Sequence, residues 1–291
     1  MSDQNFEAIY AIAASHDAIY LATQVGLFRQ QDDSWESVYD TLELDTSLPT
    51  LSVALSPNYT QDQTLFAGVV GGIMRSDDGG QTWAAFRLPE PPSAVSAILF
   101  SPDFEQDGTV ILSTLDDGIY RTTDGGSSWQ PWNFGLLDRR ILCLAANADF
   151  SSLLAGTETG LYHSSNQGQS WQWLDFPENL PPVLSVAYRA DGSVLVGTET
   201  QGLYQASPTL DSWVQIGQNA LSGAINAVLP AASSQSLIVL ADDVVYVSDD
   251  NGDTWREQSQ TSGATALARL NGSGAILLGK HDGSVTRQTI T

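Results

Sequence analysis

Acidic residues stand in a few short motifs whose residue types could carry chemistry. Residues 76–83 read SDDGGQTW, so two adjacent carboxylates lie beside two glycines, a hydroxyl and a tryptophan. Such a set could bind a metal ion, form a platform for a sugar, or supply a carboxylate pair for catalysis. The adjacent pairs Asp116–Asp117 and Asp242–Asp243 also suggest paired carboxylates. Which role applies depends on the elements that hold these residues.

The composition limits the possible classes of function. With 291 residues, 42% of them hydrophobic, the chain can bury a large core. Its formal net charge of −23 disfavours nucleic acid and anionic membranes as partners. No segment reaches the ~20 apolar residues of a membrane span, and the N-terminus lacks the basic region of a secretion signal. We therefore expect a cytoplasmic protein without membrane insertion.

Cysteine and histidine give no sign of a metal or cofactor site. Cys143 is the only cysteine, which excludes a disulfide within the chain and a cysteine-based zinc site. His16, His163 and His281 lie in unrelated segments without the spacing of metal ligands. No glycine-rich phosphate loop follows a strand and opens a helix. The prediction is therefore that the chain has no metal and no cofactor.

One sequence unit recurs along the chain. A glycine followed by hydrophobic, often aromatic residues marks each unit, with valine in place of glycine in the sixth. The spacings are 46, 46, 42, 42, 42 and 39 residues, counted from Gly26, Gly72, Gly118, Gly160, Gly202, Val244 and Gly283. They are typical of the ~40–45-residue blades of a β-propeller. Each unit contains four strand-like segments, here named A to D in chain order. In the second and third units, a loop with the pattern S-P-x-aromatic lies between A and B.

The pattern predicts an all-β, seven-bladed β-propeller with four-stranded antiparallel blades, in a single domain over residues 1–291. Six blades is the alternative. The last unit stops after segment C, at Thr291, so its fourth strand is missing. Residues Asp3–Glu7 precede the first segment A and could supply that strand, because a propeller closes its ring to avoid exposed edges.

A tryptophan that leads segment D ends a second repeated motif. Four copies fit the pattern S/T-x-D/N-x-G-x-S/T-W. The pattern resembles the Asp-box, or BNR repeat, which lies between the third and fourth strands of blades in sialidase-like propellers. Glycine tolerates positive φ, an Asp or Asn side chain bonds the N–H groups of the turn, and Trp fills the space between blades. We therefore predict structural boxes at Ser76, Asp78, Gly80, Trp83, Asp124, Gly126, Trp129, Asn166, Gly168, Trp171, Asp250, Gly252 and Trp255.

The arginines argue against a sialidase. Sialidases use three arginines, a Tyr nucleophile with its Glu base and an Asp acid, and one arginine lies in an F/Y-R-I/L-P motif before the first box. Here FRLP, at residues 86–89, follows a box. Arg29, Arg75 and Arg121 share one position in segment C of three units, which is typical of a scaffold. No catalytic residue is predicted, although the paired carboxylates keep a glycoside hydrolase as the alternative.

Two further families of Asp-box propellers resemble this chain. Xyloglucan-degrading hydrolases resemble two such rings that face each other across a cleft, whereas this chain holds one ring. Photosystem II assembly factors look like single seven-bladed Asp-box propellers without enzymatic activity, which is the layout here. That resemblance implies a scaffold or assembly role. Their arginine-rich patch and lumenal signal have no counterpart in this sequence, so their partner is not carried over.

Acidic residues are expected at one face of the propeller. In this fold the B–C and D–A loops share one face, and the Asp-boxes share the other. Five of the seven blades carry acid in the B–C loop. We therefore predict an acidic rim at one mouth of the central channel, made by Asp116, Asp117, Glu158, Glu199, Asp242, Asp243 and Asp282.

The D–A loops are longer and less alike than the other loops. Residues 131–140, PWNFGLLDRR, combine apolar side chains with two adjacent arginines, and Trp and Arg are common interface anchors. The alternative is that these aromatic residues cover a blade edge. We predict a non-catalytic interaction or scaffold propeller that binds another protein or a larger complex through this loop face. A carbohydrate-binding or glycoside-hydrolase-like propeller, with a glycan as ligand, is the alternative. The partner-binding candidates in this loop are Trp132, Phe134, Arg139 and Arg140.

Overall fold

The computed structural model describes residues 6–32, 34–88, 94–175, 182–231, 235–270 and 274–290. It confirms an all-β, seven-bladed β-propeller, so the six-bladed alternative is wrong. Six antiparallel sheets have four strands each, and the seventh has three strands among the described residues. Most of the predicted closing strand at Asp3–Glu7 lies outside the described residues, and it stays a prediction.

The chain divides into two compact units, and the first comprises residues 1–131 and 263–291. It holds blades 1, 2, 3 and 7, numbered in chain order. Blade 1 contains β1 (Ile9–Ala14), β2 (Ile19–Thr23), β3 (Gly26–Gln31) and β4 (Ser34–Ser37). Blade 2 contains β5 (Thr50–Leu55), β6 (Leu65–Val69), β7 (Gly72–Ser76) and β8 (Ala84–Arg87). Blade 3 contains β9 (Val95–Phe100), β10 (Val110–Thr114), β11 (Ile119–Thr122) and β12 (Gln130–Pro131), and blade 7 contains β25 (Ala264–Leu270), β26 (Ala275–Lys280) and β27 (Val285–Thr289).

The second unit comprises residues 132–262 and holds blades 4, 5 and 6. Blade 4 contains β13 (Ile141–Ala146), β14 (Leu153–Thr157), β15 (Gly160–Ser164) and β16 (Gln172–Trp173). Blade 5 contains β17 (Val183–Tyr188), β18 (Val194–Thr198), β19 (Leu203–Ala206) and β20 (Trp213–Ile216). Blade 6 contains β21 (Ile225–Pro230), β22 (Leu237–Ala241), β23 (Val244–Ser248) and β24 (Arg256–Glu257).

The A–B loops of blades 2 and 3 each contain one helical turn that the sequence pattern did not predict. These are α1 (Tyr59–Asp62) and α2 (Phe104–Asp107), and the aromatic residue that begins each turn is buried. A four-residue turn is too short to show helical periodicity. A 3₁₀ turn spans Asp40–Leu42. Among the described helices, none has the length and apolar character needed to span a membrane.

Neighbouring blades pack through a glycine in strand B. In the second unit, a Cβ atom at Gly197 would lie 2.7 Å from the Cβ atom of Ile225, which is fully buried in strand A of the next blade. The Ser185 hydroxyl donates to the Ile225 carbonyl oxygen at 2.8 Å. Gly156 and Val183 make the same close approach between blades 4 and 5. A glycine at this position therefore lets adjacent sheets touch.

The same contact joins blade 7 to blade 1 within the first unit. A Cβ atom at Gly279 would lie 2.8 Å from the Cβ atom of Ile9, and the Thr265 hydroxyl donates to the Ile9 carbonyl oxygen at 2.8 Å. Phe6 is buried in a cluster that includes Leu277 of blade 7. Phe6, which belongs to the predicted closing segment, thus packs against blade 7.

The SDDGGQTW motif forms a hairpin turn whose polar groups bond to one another. Asp78 Oδ1 accepts from the N–H groups of Gln81 and Thr82, at 3.0 and 2.9 Å. The Ser76 hydroxyl accepts from the Gly80 N–H at 2.8 Å. These bonds account for the residue types without any ligand.

Three other boxes repeat this turn. The glycines at the fifth position of the motif have φ between 86° and 96°, at Gly80, Gly126, Gly168 and Gly252. In blade 4, Asn166 Oδ1 accepts from the Ser170 N–H at 2.9 Å, and the Asn166 amide donates to the Ser170 hydroxyl at 2.9 Å. The turn therefore requires a hydrogen-bond acceptor at this position, and a full negative charge is dispensable.

The repeated arginines of strand C belong to the scaffold. Arg29 donates to the carbonyl oxygen of Gly79 at 3.3 Å, and Arg75 donates to the carbonyl oxygen of Gly125. Each arginine thus links its blade to the box of the following blade. In the FRLP motif, Arg87 ends strand β8, while Pro89 lies outside the described residues.

Candidate binding surface on the fourth blade

The loop at residues 132–140 carries the two most exposed large apolar side chains among the described residues. Phe134 is 79% exposed and Leu137 is 88% exposed. Trp173, on strand β16 of blade 4, is 52% exposed. Contiguous exposed apolar side chains often mark interaction sites. We refer to Phe134, Leu137 and Trp173 as the blade-4 surface.

The box tryptophan of blade 4 anchors this loop. The indole N–H of Trp171 donates to the Trp132 carbonyl oxygen at 3.0 Å, and its backbone N–H donates to the Phe134 carbonyl oxygen at 2.8 Å. Gly135 has φ of 83°, and any side chain there would overlap the Trp171 carbonyl group. Leu136 is buried, so the backbone is held inward while the Phe134 ring stays exposed.

Asp138 is a second anchor of the loop. Its side chain is buried, and Oδ2 accepts from the Thr159 hydroxyl at 2.7 Å. Oδ1 accepts from the Arg140 backbone N–H at 3.1 Å, and the Asp138 N–H donates to the Tyr162 hydroxyl at 3.3 Å. Burial opposes ionisation of this carboxyl, but the hydrogen bonds from Thr159 and Arg140 outweigh it and lower the pKa of Asp138. Asp138 therefore holds the loop as a carboxylate.

Arg140 bridges two carboxylates on the surface. Its Nε lies 3.2 Å from Asp138 Oδ1, and its Nη1 pairs with Glu158 in the B–C loop. Pairs that remain this exposed contribute only about 0–1 kcal/mol to stability. Their effect here is to fix the orientation of Arg140 and to neutralise Glu158.

A shallow, open groove of about 440 Å³ runs between the loop and the strands of blade 4. Apolar side chains stand at its sides, and hydroxyl groups and the Arg140 ion pair supply its polar part. The lining residues are Leu137, Asp138, Arg140, Thr159, Tyr162 and Trp173. The volume lies near the lower end of the ~300–1,000 Å³ found for ligand sites. An open groove of this size suits a few side chains of a partner.

The repeat itself supplies a comparison for Trp173. This residue stands opposite Tyr162 in the β15–β16 pair, two residues after the box tryptophan. The residues at the same register position in the other four-stranded blades are small or polar: Ser37, Ala85, Pro131, Gln215 and Glu257. The fold therefore does not require an aromatic side chain at this position, and Trp173 is a feature of blade 4 alone.

Comparison with known proteins agrees with the repeat and the fold. The family model described as BNR/Asp-box repeat matches residues 74–85 and 246–257, which contain the boxes of blades 2 and 6. The chain thus carries BNR/Asp-box repeats on a β-propeller fold. No curated protein sequence matches it at a significant level.

Solved structures with a fold similar to this Asp-box propeller come from proteins of different kinds. The extracellular domain of a one-component system from B. thetaiotaomicron has a TM-score of 0.76 at 17% identity, over 98% of this chain and 38% of that chain. YCF48 bound to D1 peptide has a TM-score of 0.74 at 17% identity, over 99% of this chain and 95% of that chain. A GH74 xyloglucanase from Xanthomonas campestris has a TM-score of 0.72 at 17% identity, over 96% of this chain and 51% of that chain. At such identities the likeness shows the fold alone.

In the second unit of the Asp-box propeller, the predicted rim acids mostly support turns or ion pairs. Asp242 Oδ1 accepts from the Ala224 N–H at 3.1 Å, and Asp243 Oδ2 accepts from the Ser262 hydroxyl at 3.3 Å. Glu199 is exposed. Glu158 pairs with Arg140, although the two residues lie in different loops of the sequence.

In the first unit, the predicted rim acids also lie in tight loops. Asp116 is exposed, and the backbone N–H of Asp117 donates to the Thr114 hydroxyl at 2.9 Å. Hydrogen bonds from the Ser284 hydroxyl and backbone N–H lower the pKa of Asp282. A rim would draw on both units of the propeller, so it stays a prediction.

The candidate nucleophiles lie in scaffold positions. The Ser152 hydroxyl is 2.8 Å from His163 Nε2 and 2.8 Å from the Tyr188 hydroxyl. However, Ser152 precedes strand B as Thr64 and other hydroxyl residues do in their blades. Burial raises the pKa of the Cys143 thiol to about 12, which disfavours a thiolate. Within the described ranges, no three His, Cys, Asp or Glu side chains are grouped to hold a metal ion.

Part of the blade-4 surface escaped sequence reasoning. Phe134, Arg139 and Arg140 were predicted as partner-binding residues, and all three are exposed. Trp132 is half-buried, and its carbonyl group serves as an anchor. Trp173 was missed, although a signal was available. The WQW sequence places a second tryptophan where the repeat otherwise has small or polar residues.

Proposed function

We propose that this Asp-box propeller is a non-catalytic binding protein whose partner is another polypeptide that docks on the blade-4 surface. The observation that carries the proposal is that the exposed Leu137 and Trp173 line one groove of a strongly acidic chain, with the exposed Phe134 in the same loop as Leu137. Aromatic side chains often dominate the energy of protein interfaces. An exposed group of them would otherwise promote aggregation.

The anchoring of the loop supports a binding role. Trp171 and Asp138 fix the backbone of residues 132–140 from two sides. A loop that is ordered before a partner arrives loses little conformational entropy on binding. The exposed side chains are thus presented on a rigid support.

The solved complex of YCF48 with D1 peptide supports a polypeptide as the class of partner. The propeller described here matches 95% of the length of the YCF48 chain in fold. A single propeller of this size can therefore take a peptide. The identity of the peptide is not transferred, because the sequences are 17% identical.

The charges in the groove favour binding over hydrolysis. Glycoside hydrolysis by paired carboxylates needs one of them protonated to act as the acid. Asp138 is the one carboxylate among the described residues that line the groove, and the hydrogen bonds from Thr159 and Arg140 lower its pKa. The groove then offers no general acid, and we infer that it binds its ligand unchanged.

A carbohydrate-binding propeller is the second candidate. Trp173 beside the Thr159 hydroxyl and the Arg140 guanidinium could stack on a sugar ring while bonding its hydroxyl groups. The likeness to a GH74 xyloglucanase keeps this candidate open at the level of the fold. It differs from the first candidate in requiring Trp173 far more than Phe134.

Affinity purification from the native cells tests the proposal. The tagged protein is compared with a Phe134→Ala, Leu137→Ala, Trp173→Ala variant and with a control variant, Val70→Ala, Val214→Ala. Val70 and Val214 are 62% and 64% exposed and lie outside the blade-4 surface. Quantitative mass spectrometry should find a partner that the wild type and the control retain and the triple variant loses.

Two results would count against a polypeptide partner. One is a set of bound proteins that the triple variant leaves unchanged. The other is binding on a glycan array that Trp173→Ala abolishes and Phe134→Ala preserves, which would favour the carbohydrate-binding candidate.

A further inference from the structure

Arg139 is a cation available at the blade-4 surface. It is exposed, it lies two residues from Leu137, and it forms no ion pair with any residue that the structure describes. Its neighbour Arg140 is matched by two carboxylates instead. Arg139 therefore places a positive charge beside the exposed Leu137 side chain, in a chain whose net charge is −23.

A hydrogen-bond donor also lies at the floor of the groove. Tyr162 is only 3% exposed and is one of the residues that line the groove, and its hydroxyl accepts from the Asp138 N–H at 3.3 Å. Across the described residues, the proton of this hydroxyl has no acceptor. The groove therefore offers one buried donor, and the exposed Arg139 lies between two of its lining residues in the sequence. Both groups call for an acceptor oxygen from the ligand.

We propose that the partner presents an acidic and apolar peptide segment, an inference that rests on the proposed function. An apolar side chain of the segment lies between Leu137 and Trp173, and a neighbouring carboxylate pairs with Arg139. The Tyr162 hydroxyl donates to a carbonyl or carboxylate oxygen of the same segment. Arginine binds carboxylates through paired N–H donors, which makes the contact directional.

The net charge of the propeller does not exclude an acidic segment. Repulsion from distant carboxylates is screened beyond about 8 Å at physiological ionic strength. At contact distance, Arg140 is matched by Asp138 and Glu158, so the charge left for the segment is that of Arg139. The surrounding carboxylates repel any acidic segment. A segment without an apolar side chain gains only the ion pair with Arg139, so this repulsion disfavours its binding.

Selection from a random peptide library displayed on phage tests this inference. The baits are the wild type, Arg139→Glu and Arg287→Glu, which makes the same charge change at an exposed arginine in the first unit. The wild type and Arg287→Glu should enrich peptides that join an aromatic or aliphatic residue to Asp or Glu. Arg139→Glu should shift the enrichment towards Lys and Arg. Synthetic peptides from the wild-type selection should bind Tyr162→Phe several-fold more weakly.

The outcomes separate this inference from the proposed function. Enriched peptides without acidic residues, or an acidic preference that Arg139→Glu leaves unchanged, would overturn the inference alone. Equal enrichment by the wild type and by the Phe134→Ala, Leu137→Ala, Trp173→Ala variant would overturn the proposed binding surface itself. Thermal melting of each bait confirms that the variants are folded.

Discussion

Asp124 shows how a box carboxylate is held by its own turn. It accepts from the Ser128 hydroxyl at 2.6 Å, the Thr122 hydroxyl at 2.6 Å and the Ser128 N–H at 2.9 Å. These bonds to the ionised form lower the pKa of Asp124 to about 2, below the value of about 3.9 for an unfolded chain. The folded state binds this proton less tightly than the unfolded state. The stabilisation is therefore complete above about pH 4 and is lost as the pH falls towards 2.

Asp124→Asn should remove this part of the acid sensitivity. Asn166 occupies the same position in blade 4 and keeps the turn, so we expect Tm near neutral pH to change little. Below about pH 4 the variant should lose less stability than the wild type. Circular dichroism melts across this pH range measure the effect, with the exposed Asp45→Asn as control. If Tm falls equally steeply below about pH 4 in Asp124→Asn and in the wild type, the expectation is contradicted.

Trp171 and Trp173 lie two residues apart, but their truncation to alanine should change the stability by very different amounts. Trp171 is 2% exposed and anchors the 132–140 loop, so Trp171→Ala should cost about 3–5 kcal/mol of unfolding free energy. Trp173 is 52% exposed, and Trp173→Ala should change that free energy by less than about 1 kcal/mol. Urea unfolding measures both. A large loss of stability in Trp173→Ala would assign the residue to the scaffold and remove it from the binding surface.

At the level of the blades, the close approach at strand B sets how sheets pack. Gly197→Ala would place a methyl group 2.5 Å from Cγ2 of Ile225, whose side chain is fully buried. Overpacking of this kind costs about 1–3 kcal/mol, because neither sheet can move away without losing other contacts. Urea unfolding should show this loss, while Thr200→Ala in the exposed B–C loop should stay within about 0.5 kcal/mol of the wild type. An unchanged free energy for Gly197→Ala would mean that the seam is loosely packed.

The elements of the scaffold were more predictable than the surface that they carry. Strands and boxes recur in sequence because every blade meets the same packing problem, as at Gly197 and Gly156. The helical turn at Tyr59–Asp62 was missed because four residues carry no periodic signal. The Arg140–Glu158 pair was missed because it joins two loops that are 18 residues apart. The hydrogen bond between Asp138 and Thr159 was missed for the same reason, because it also joins these two loops.

For the chain as a whole, the blade-4 surface is a local departure from a repeated scaffold. Repetition explains Arg29, Arg75 and the box residues, since each has counterparts that make the same contacts. It does not explain Phe134, Leu137 and Trp173, which are exposed and contribute little to the packing. Residues that the fold does not need are the better candidates for recognition.

The net charge of −23 should make the stability of the whole chain depend on salt. Repulsion among carboxylates destabilises the folded state, and salt screens it. Salt also weakens exposed ion pairs such as Arg256–Asp249, but these contribute only about 0–1 kcal/mol each. Screening of repulsion should therefore prevail, and Tm should rise by a few degrees between low salt and about 0.5 M NaCl. Calorimetry at several NaCl concentrations measures this rise, and Glu199→Gln with Asp45→Asn should reduce it. A Tm that falls with salt would mean that attraction between paired charges outweighs the repulsion.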